Sequence, residues 1–259
     1  MYPSARVGLW LLLSWGAAAA CSRTPTPPPP PTPHDGTLER CAAPSVAVAR
    51  DVRLEVAHDL DARVTAAALR QALEQACELL GLRCAVSLQA RRIGTPLAVA
   101  AADLPTDDAA LRAAVEERIA ACARAAFPDD RPANADAASA APVIGVVVLP
   151  VLAPADAALS AVLPELDGLG LPTEHPALGG LPARLRRPLV LLDGARLAEA
   201  SATRRAALLG HELGHALGLP HAAPDRVAAL MGAPGPCAGG LDASEAALVR
   251  ARLDPPEAP

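Results

Sequence analysis

The chain has 259 residues, which is enough for one sizeable domain with attached segments. Hydrophobic residues make up 52% of the chain and aromatic residues only 2%, so the predicted core is built from Leu, Val and Ala. The net charge is −5 and no dense basic tract is present, so nothing in the composition indicates binding to nucleic acid or to an anionic membrane surface.

The N-terminus has the three parts of a secretory signal peptide. Arg6 precedes a short apolar run, residues 7–15, and Gly16 with four alanines then leads to Cys21. The apolar run is too short to span a bilayer comfortably, which makes a membrane-anchor helix the weaker alternative. We therefore predict a signal peptide over residues 1–20 and export from the cell.

Cys21 decides what becomes of the exported chain. The stretch from Ala18 to Cys21 resembles a bacterial lipobox, although Leu is usual where Ala18 stands, and this resemblance implies a lipidated Cys21. Ordinary cleavage after Ala20, which would leave Cys21 free to pair, stays open. Residues 24–33 are all Thr or Pro, the composition of an extended tether. We predict a lipidated cysteine and tether over residues 21–44. The protein would then lie in the bacterial cell envelope as a lipoprotein, or be secreted, and would touch a membrane only through its lipid.

The predicted export would place the chain in an oxidising compartment, where its cysteines can form disulfides. There are six: Cys21, Cys41, Cys77, Cys84, Cys122 and Cys237. Cys77 and Cys84 lie at the end of a predicted helix and the start of a predicted strand, and they are the disulfide pair we favour. The other pairings stay open.

The apolar periodicity predicts a mixture of strands and helices. Val143 to Leu149 is apolar on both faces, which predicts an interior strand of a sheet. Residues 150–187 are rich in Pro and Gly and are expected to hold an edge strand and a surface loop. The other predicted strands are 46–56, 84–89 and 189–192, and the predicted helices are 65–80, 107–126, 203–217 and 242–253, the last opened by a capping box of Asp242 and Glu245.

The chemistry is concentrated in the stretch His-Glu-Leu-Gly-His-Ala-Leu-Gly-Leu-Pro-His, residues 211–221. His211 and His215 are four residues apart, so a helix places both imidazoles on one face, within reach of one ion. Gly218 permits a left-handed backbone that ends the helix, and the turn can deliver His221 as a third ligand. Three protein ligands leave one position for water, which is typical of a catalytic zinc site.

This stretch resembles the metzincin zinc-binding consensus, H-E-x-x-H-x-x-G-x-x-H. Met231, ten residues after His221, looks like the methionine of the metzincin Met-turn. The short gap between the third His and this Met, and the phrase His-Ala-Leu-Gly-Leu, are most similar to matrixins. The resemblance implies an α/β (α+β) fold over residues 45–255, with a mixed twisted sheet, a zinc-binding active-site helix, a Met-turn and a C-terminal helix. The helix at 107–126 is additional to that order of elements.

The resemblance also implies a function, that of a zinc-dependent endopeptidase. Glu212 would be the general base for a metal-activated water, and Met231 would form the floor of the site. A peptide or protein substrate would lie extended along an edge strand, and the enzyme is expected to be a monomer. Two alternatives stay open: a non-catalytic zinc-binding surface lipoprotein on the same fold, and a metal-dependent hydrolase of a non-peptide bond.

Cys41 raises the question of regulation. The sequence around Cys41 and Pro44 distantly resembles the matrixin cysteine switch, but Ala42 stands where that motif has Gly. There is also no room for a folded propeptide, so a disulfide is the favoured role of Cys41.

Overall fold

A mixed sheet forms the centre of the fold. The computed structural model describes residues 20–22, 46–93, 108–128, 141–152, 166–222, 230–232 and 239–254. Within these residues the sheet has six strands, and the mixed α/β fold class predicted from the sequence is confirmed. The strands are β1 (Ala20–Ser22), β2 (Asp51–Asp59), β3 (Arg83–Arg91), β4 (Val143–Leu149), β5 (Leu166–Leu171) and β6 (Leu189–Asp193).

The strands follow the spatial order β1-β5-β6-β4-β2-β3. β3, β2, β4 and β6 are parallel to one another, whereas β5 is antiparallel to β6 and β1 is antiparallel to β5. β4 lies between β2 and β6, and all of its residues after Val143 are buried. The interior position predicted from its continuous apolar run is therefore correct, because a strand covered on both faces needs no polar side.

Helices cover both faces of the sheet. They are α1 (Ala66–Leu79), α2 (Asp108–Ala126), α3 (Pro176–Gly179), α4 (Gly194–Glu199), α5 (Ala202–Ala216) and α6 (Ala243–Leu253). Side chains cap the N-termini of α1 and α5: Thr65 accepts from the Ala68 amide, and Ser201 accepts from the Arg204 amide. α6 opens with the predicted capping box, in which Asp242 and Glu245 accept each other's backbone N–H.

Two apolar cores lie on opposite sides of the sheet. Val52, Leu54 and Val56 of β2 point into the larger core, which buries side chains of α1, α5 and α6. Ala57 points into the smaller core, which buries side chains of α2 and α3. α2, additional to the expected order of elements, thus covers the sheet face opposite α5.

One predicted strand begins later in the structure than expected. We expected residues 46–56 to be extended, but β2 begins only at Asp51 and continues to Asp59. Ala49 has a positive φ of 55°, which breaks the extended geometry before β2 begins. The Ala49 amide donates to the carbonyl of Gly81, so this segment contacts the turn after α1.

The cysteine pair favoured from the sequence is joined in the structure. A disulfide links Cys77, near the end of α1, to Cys84, near the start of β3. Cys122 is a free, buried thiol of α2, whereas Cys41 and Cys237 lie outside the described residues. Of the helices in the described ranges, none combines the length and the apolar character needed to cross a membrane.

We predict that the variant Cys77→Ala/Cys84→Ala loses about 2 kcal/mol of unfolding free energy, because the crosslink restricts the unfolded chain. Denaturant unfolding of purified protein measures the loss. Each single variant should lose nearly as much as the double variant, because either change breaks the same bond. A double variant that unfolds at the same denaturant concentration as the wild type would contradict this prediction.

Candidate metal centre

The helix α5 carries the first part of the site. Its apolar residues Leu209, Leu213 and Ala216 are buried in the larger core, which fixes the helix against α1 and the sheet. His211 and His215 are buried as well, on another side of the same helix. Their spacing of four residues aligns the two rings along the helix axis, with the ring centroids 4.6 Å apart.

The end of α5 is a Schellman turn, and it delivers the third imidazole. Gly218 has a φ of 84°, a left-handed conformation that residues with a Cβ rarely adopt. The Leu219 amide donates to the carbonyl of Gly214, and the Gly218 amide donates to that of His215. The chain therefore reverses direction directly after the helix. His221, three residues after Gly218, then lies beside His215, with the two ring centroids 4.6 Å apart.

The three imidazoles converge through their Nε2 atoms. The Nε2 atom of His215 lies 3.1 Å from that of His211 and 3.2 Å from that of His221. Nitrogens that bind one tetrahedral zinc ion at 2.0–2.1 Å lie about 3.3–3.4 Å from one another. Among the His, Cys, Asp and Glu side chains of the described residues, these three lie close enough together to hold one metal ion. The spacing therefore has the dimensions of a three-histidine metal site.

Two backbone carbonyls determine which ring nitrogens point at the site. His211 Nδ1 donates to the carbonyl of Leu230, and His215 Nδ1 donates to the carbonyl of Leu219, both at 2.8 Å. A carbonyl oxygen only accepts, so each Nδ1 carries the ring proton. In the neutral rings the two Nε2 atoms, 3.1 Å apart, therefore face each other as lone pairs. A cation between the two Nε2 atoms removes the repulsion between their lone pairs. Hydrogen bonds from Nδ1 to a backbone carbonyl are a usual way in which a protein orients a histidine ligand.

Burial keeps these rings neutral. It lowers the pKa of His211 from its ordinary value of 6.5 to about 4 and that of His215 to about 3. The pKa of His221 is also lowered by burial, although its ring is the most exposed of the three. Neutral imidazole is the form that binds a metal, so the pocket holds its ligands in the binding-competent state at neutral pH.

Glu212 lies beside the first histidine but faces another element. Its side chain is fully buried, between α5 and the strand β5. The nearest strand residue is Gly168, whose missing side chain leaves the space that the Glu212 carboxyl group occupies. The strand predicted within residues 150–187 is β5, but it is not the edge strand that we expected, because β1 pairs with its outer side. β5 passes directly over Glu212.

The turn that contains Met231 packs against two glycines of α5. A Cβ added at Gly214 would meet the Met231 Sδ atom at 2.4 Å, and one added at Gly210 would meet Leu230 Cδ1 at 3.2 Å. This close approach lets the Leu230 carbonyl reach His211, and the Met231 carbonyl accepts from the Ala222 amide. The turn thereby connects the first ligand to the segment that carries His221.

Of the residues singled out in the sequence, His211, His215 and His221 converge at this centre. Glu212 packs against β5, Met231 packs against Gly214, and Gly218 ends α5. Cys77 and Cys84 belong to the disulfide instead. Cys21 lies in β1, where only the strand itself is described. The predicted signal peptide up to residue 19, the predicted tether from residue 23 and Cys41 lie outside the described residues.

Sequence reasoning missed the residues that hold the ligands. The orienting carbonyls of Leu219 and Leu230 leave no trace in the choice of side chain, so no motif could indicate them. The role of Gly210 and Gly214 could have been predicted. Each glycine precedes a histidine ligand by one residue, so the two glycines are four residues apart, as the ligands are. Small residues at that spacing indicate that another part of the chain approaches a helix closely.

No protein-family model matches the chain. No curated protein matches it either. Among solved structures it is similar to metalloproteinase-II from Bacteroides fragilis, with a TM-score of 0.47 and 11% identity over 81% of this chain. The chain spans only 55% of that protein's length. It is also similar to a zinc-dependent peptidase from Methanocorpusculum labreanum, with a TM-score of 0.44 and 14% identity over 76% of this chain and 99% of the other.

We predict that acid destabilises the metal-free protein through His211 and His215. The folded-state pKa values of about 4 and about 3 lie below the ordinary 6.5, so the unfolded chain binds protons more readily than the folded chain. The stabilisation is complete above pH 6.5 and is lost progressively as the pH falls from 6.5 through these two values. Denaturant unfolding in the presence of a chelator, at a series of pH values, measures this loss.

The control for this prediction is the variant His211→Gln/His215→Gln. It lacks both titrating rings, so its stability should fall less steeply over the same pH range. Equal slopes for the variant and the wild type would show that other groups cause the loss.

Proposed function

We propose that this protein is a zinc-dependent endopeptidase of the metzincin type, similar to matrixins. His211, His215 and His221 would hold the ion through their Nε2 atoms. Zn²⁺, when bound, supplies Lewis acidity, which polarises a carbonyl group and makes water a stronger acid. Zinc is preferred among metals because an all-imidazole set of three ligands with one open position is typical of its catalytic sites.

The observation that carries the proposal is the convergence of buried lone pairs. Backbone hydrogen bonds turn the Nε2 lone pairs of two neutral imidazoles toward one point, and a cation at that point is stabilised by both. The third ring, His221, is exposed at the same point, so the centre opens toward solvent on its side. A site that only stabilised the fold would use four protein ligands and would be closed.

Glu212 supports a hydrolytic role over simple metal storage. It follows the first ligand directly and is fully buried against β5. In the proposed reaction a Glu212 carboxylate oxygen accepts a proton from the attacking water and then delivers it to the amine of the leaving peptide. Because the carboxyl group is enclosed by α5 and β5, its direction is set before the substrate binds.

The strand β5 is the proposed guide for the substrate. It lies over Glu212 and is antiparallel to β6, and within the described ranges its outer edge pairs with the short strand Ala20–Ser22. An extended peptide could add to this edge as an antiparallel strand through main-chain hydrogen bonds. Cleavage of the precursor after Ala20 would remove the β1 residue that pairs with Leu169.

Glu212→Gln tests the role of the base. The change keeps the shape of the side chain but removes its ability to take a proton, so we expect the rate of peptide cleavage to fall by about 10²–10⁴-fold. Digestion of a peptide library, followed by mass spectrometry, compares the variant with the wild type at equal zinc content. Equal cleavage by both proteins would contradict the proposal.

The same digestion separates the proposed peptidase from the two alternative functions. A wild-type protein that binds zinc but cleaves no peptide would favour the non-catalytic lipoprotein or a hydrolase of another bond. A screen of ester and amide substrates with the Glu212→Gln control would then distinguish these two.

We also propose that the mature protein is a monomeric lipoprotein of the bacterial cell envelope, exported by residues 1–20 and tethered through Cys21. This proposal is supported by the sequence pattern alone. In a bacterial host, Cys21→Ser should move the protein from the membrane fraction to the soluble fraction, because the lipid is its membrane contact. Mass spectrometry of the wild-type N-terminus provides the control, and an unmodified cysteine there would contradict the proposal.

A further inference from the structure

Two glycines of β5 face the helix that carries the metal ligands. Gly168 and Gly170 are two residues apart, so both lie on the same side of the strand. A Cβ added at Gly168 would meet Glu212 Cγ at 2.7 Å and Cδ at 3.0 Å. A Cβ added at Gly170 would meet the backbone oxygen of Glu212 at 2.1 Å and His215 Cβ at 2.7 Å. The backbone of β5 thus packs directly on α5, with no side chain of its own between them.

The two contacts differ in kind. At Gly170 the neighbour is helix backbone, which can move only if the whole of α5 moves. At Gly168 the three nearest atoms all belong to the side chain of Glu212, which can turn away while the helix stays in place. Gly170 therefore sets the distance between β5 and α5, whereas Gly168 affects only the position of the Glu212 carboxyl group.

We propose that Gly168 is a positioning residue for Glu212, because its missing side chain creates the space that holds the carboxyl group against β5. The role of Glu212 as base rests on the proposed function, but the steric relation between the two residues does not. Glu212 is fully buried, so there is little free volume into which its side chain could turn without cost. A methyl group at residue 168 would force the carboxyl group out of its place, since carbon atoms do not approach to 2.7 Å.

The first test is a stability cycle that needs no activity. Gly168→Ala should lower Tm by about 2–10 °C, the range expected when one methyl group overfills a packed site. In the Glu212→Ala background the same change should cost little, because the atoms it meets are gone. Gly170→Ala should lower Tm in both backgrounds, because it meets helix backbone. Gly180→Ala is the control for added bulk, since nothing lies within 4 Å of its Cβ position, and it should leave Tm unchanged.

The second test follows the base itself. With zinc content equal to that of the wild type, Gly168→Ala should lower kcat at least tenfold, leave KM within about twofold, and shift the acid limb of the pH profile of kcat/KM. Gly180→Ala should keep the wild-type kinetics. A change that only loosened the fold would lower the active fraction without moving the pH profile.

The outcomes separate the two proposals. A Tm loss for Gly168→Ala that disappears with Glu212→Ala supports the positioning role, even if the wild type proves inactive on peptides, a result that would remove only the proposed function. An equal Tm loss in both backgrounds overturns the positioning role. An unchanged pH profile and kcat in an active Gly168→Ala variant overturns it as well.

Discussion

His211 and His215 each donate the Nδ1 proton to a backbone carbonyl, and these two hydrogen bonds turn both Nε2 lone pairs toward one point. The rest of the centre depends on this constraint. Burial lowers both pKa values, so protonation cannot relieve the repulsion between the nitrogens at neutral pH. A metal ion can relieve it, and the free energy of binding that ion then contributes to the stability of the fold.

The fold brings the two carbonyls into place by different means. Leu219 belongs to the Schellman turn at the end of α5, so the glycine that stops the helix also orients its second ligand. Leu230 belongs to a separate turn, which approaches α5 closely at Gly210 and Gly214. On another side of the helix, β5 approaches at Gly168 and Gly170. Four glycines thus allow close contacts on two sides of α5, from the side chains of the turn and from the strand β5, and these contacts fix the position of its functional groups.

Much of this arrangement could be predicted from the sequence, because it is encoded in local spacing. The interval between His211 and His215 is a property of the helix, and the continuous apolar run of β4 indicates an interior strand. The predicted start of β2 was wrong because Ala49 adopts a positive φ. This conformation is unusual for alanine, and nothing in the sequence indicates it. The partners of Glu212 and His211, Gly168 and Leu230, lie far along the chain and reach α5 only through the sheet and a separate turn. Backbone groups, moreover, are the same for every residue, so their role cannot be seen in a sequence.

The most direct test of the central claim is X-ray absorption at the zinc edge, measured on purified protein loaded with one equivalent of zinc. The account predicts a first shell that contains three imidazole nitrogens at about 2.0–2.1 Å, and the loss of this shell in the variant His211→Ala/His215→Ala/His221→Ala. Sulfur ligands at about 2.3 Å, a spectrum that the triple variant leaves unchanged, or a protein that takes up no zinc would contradict it.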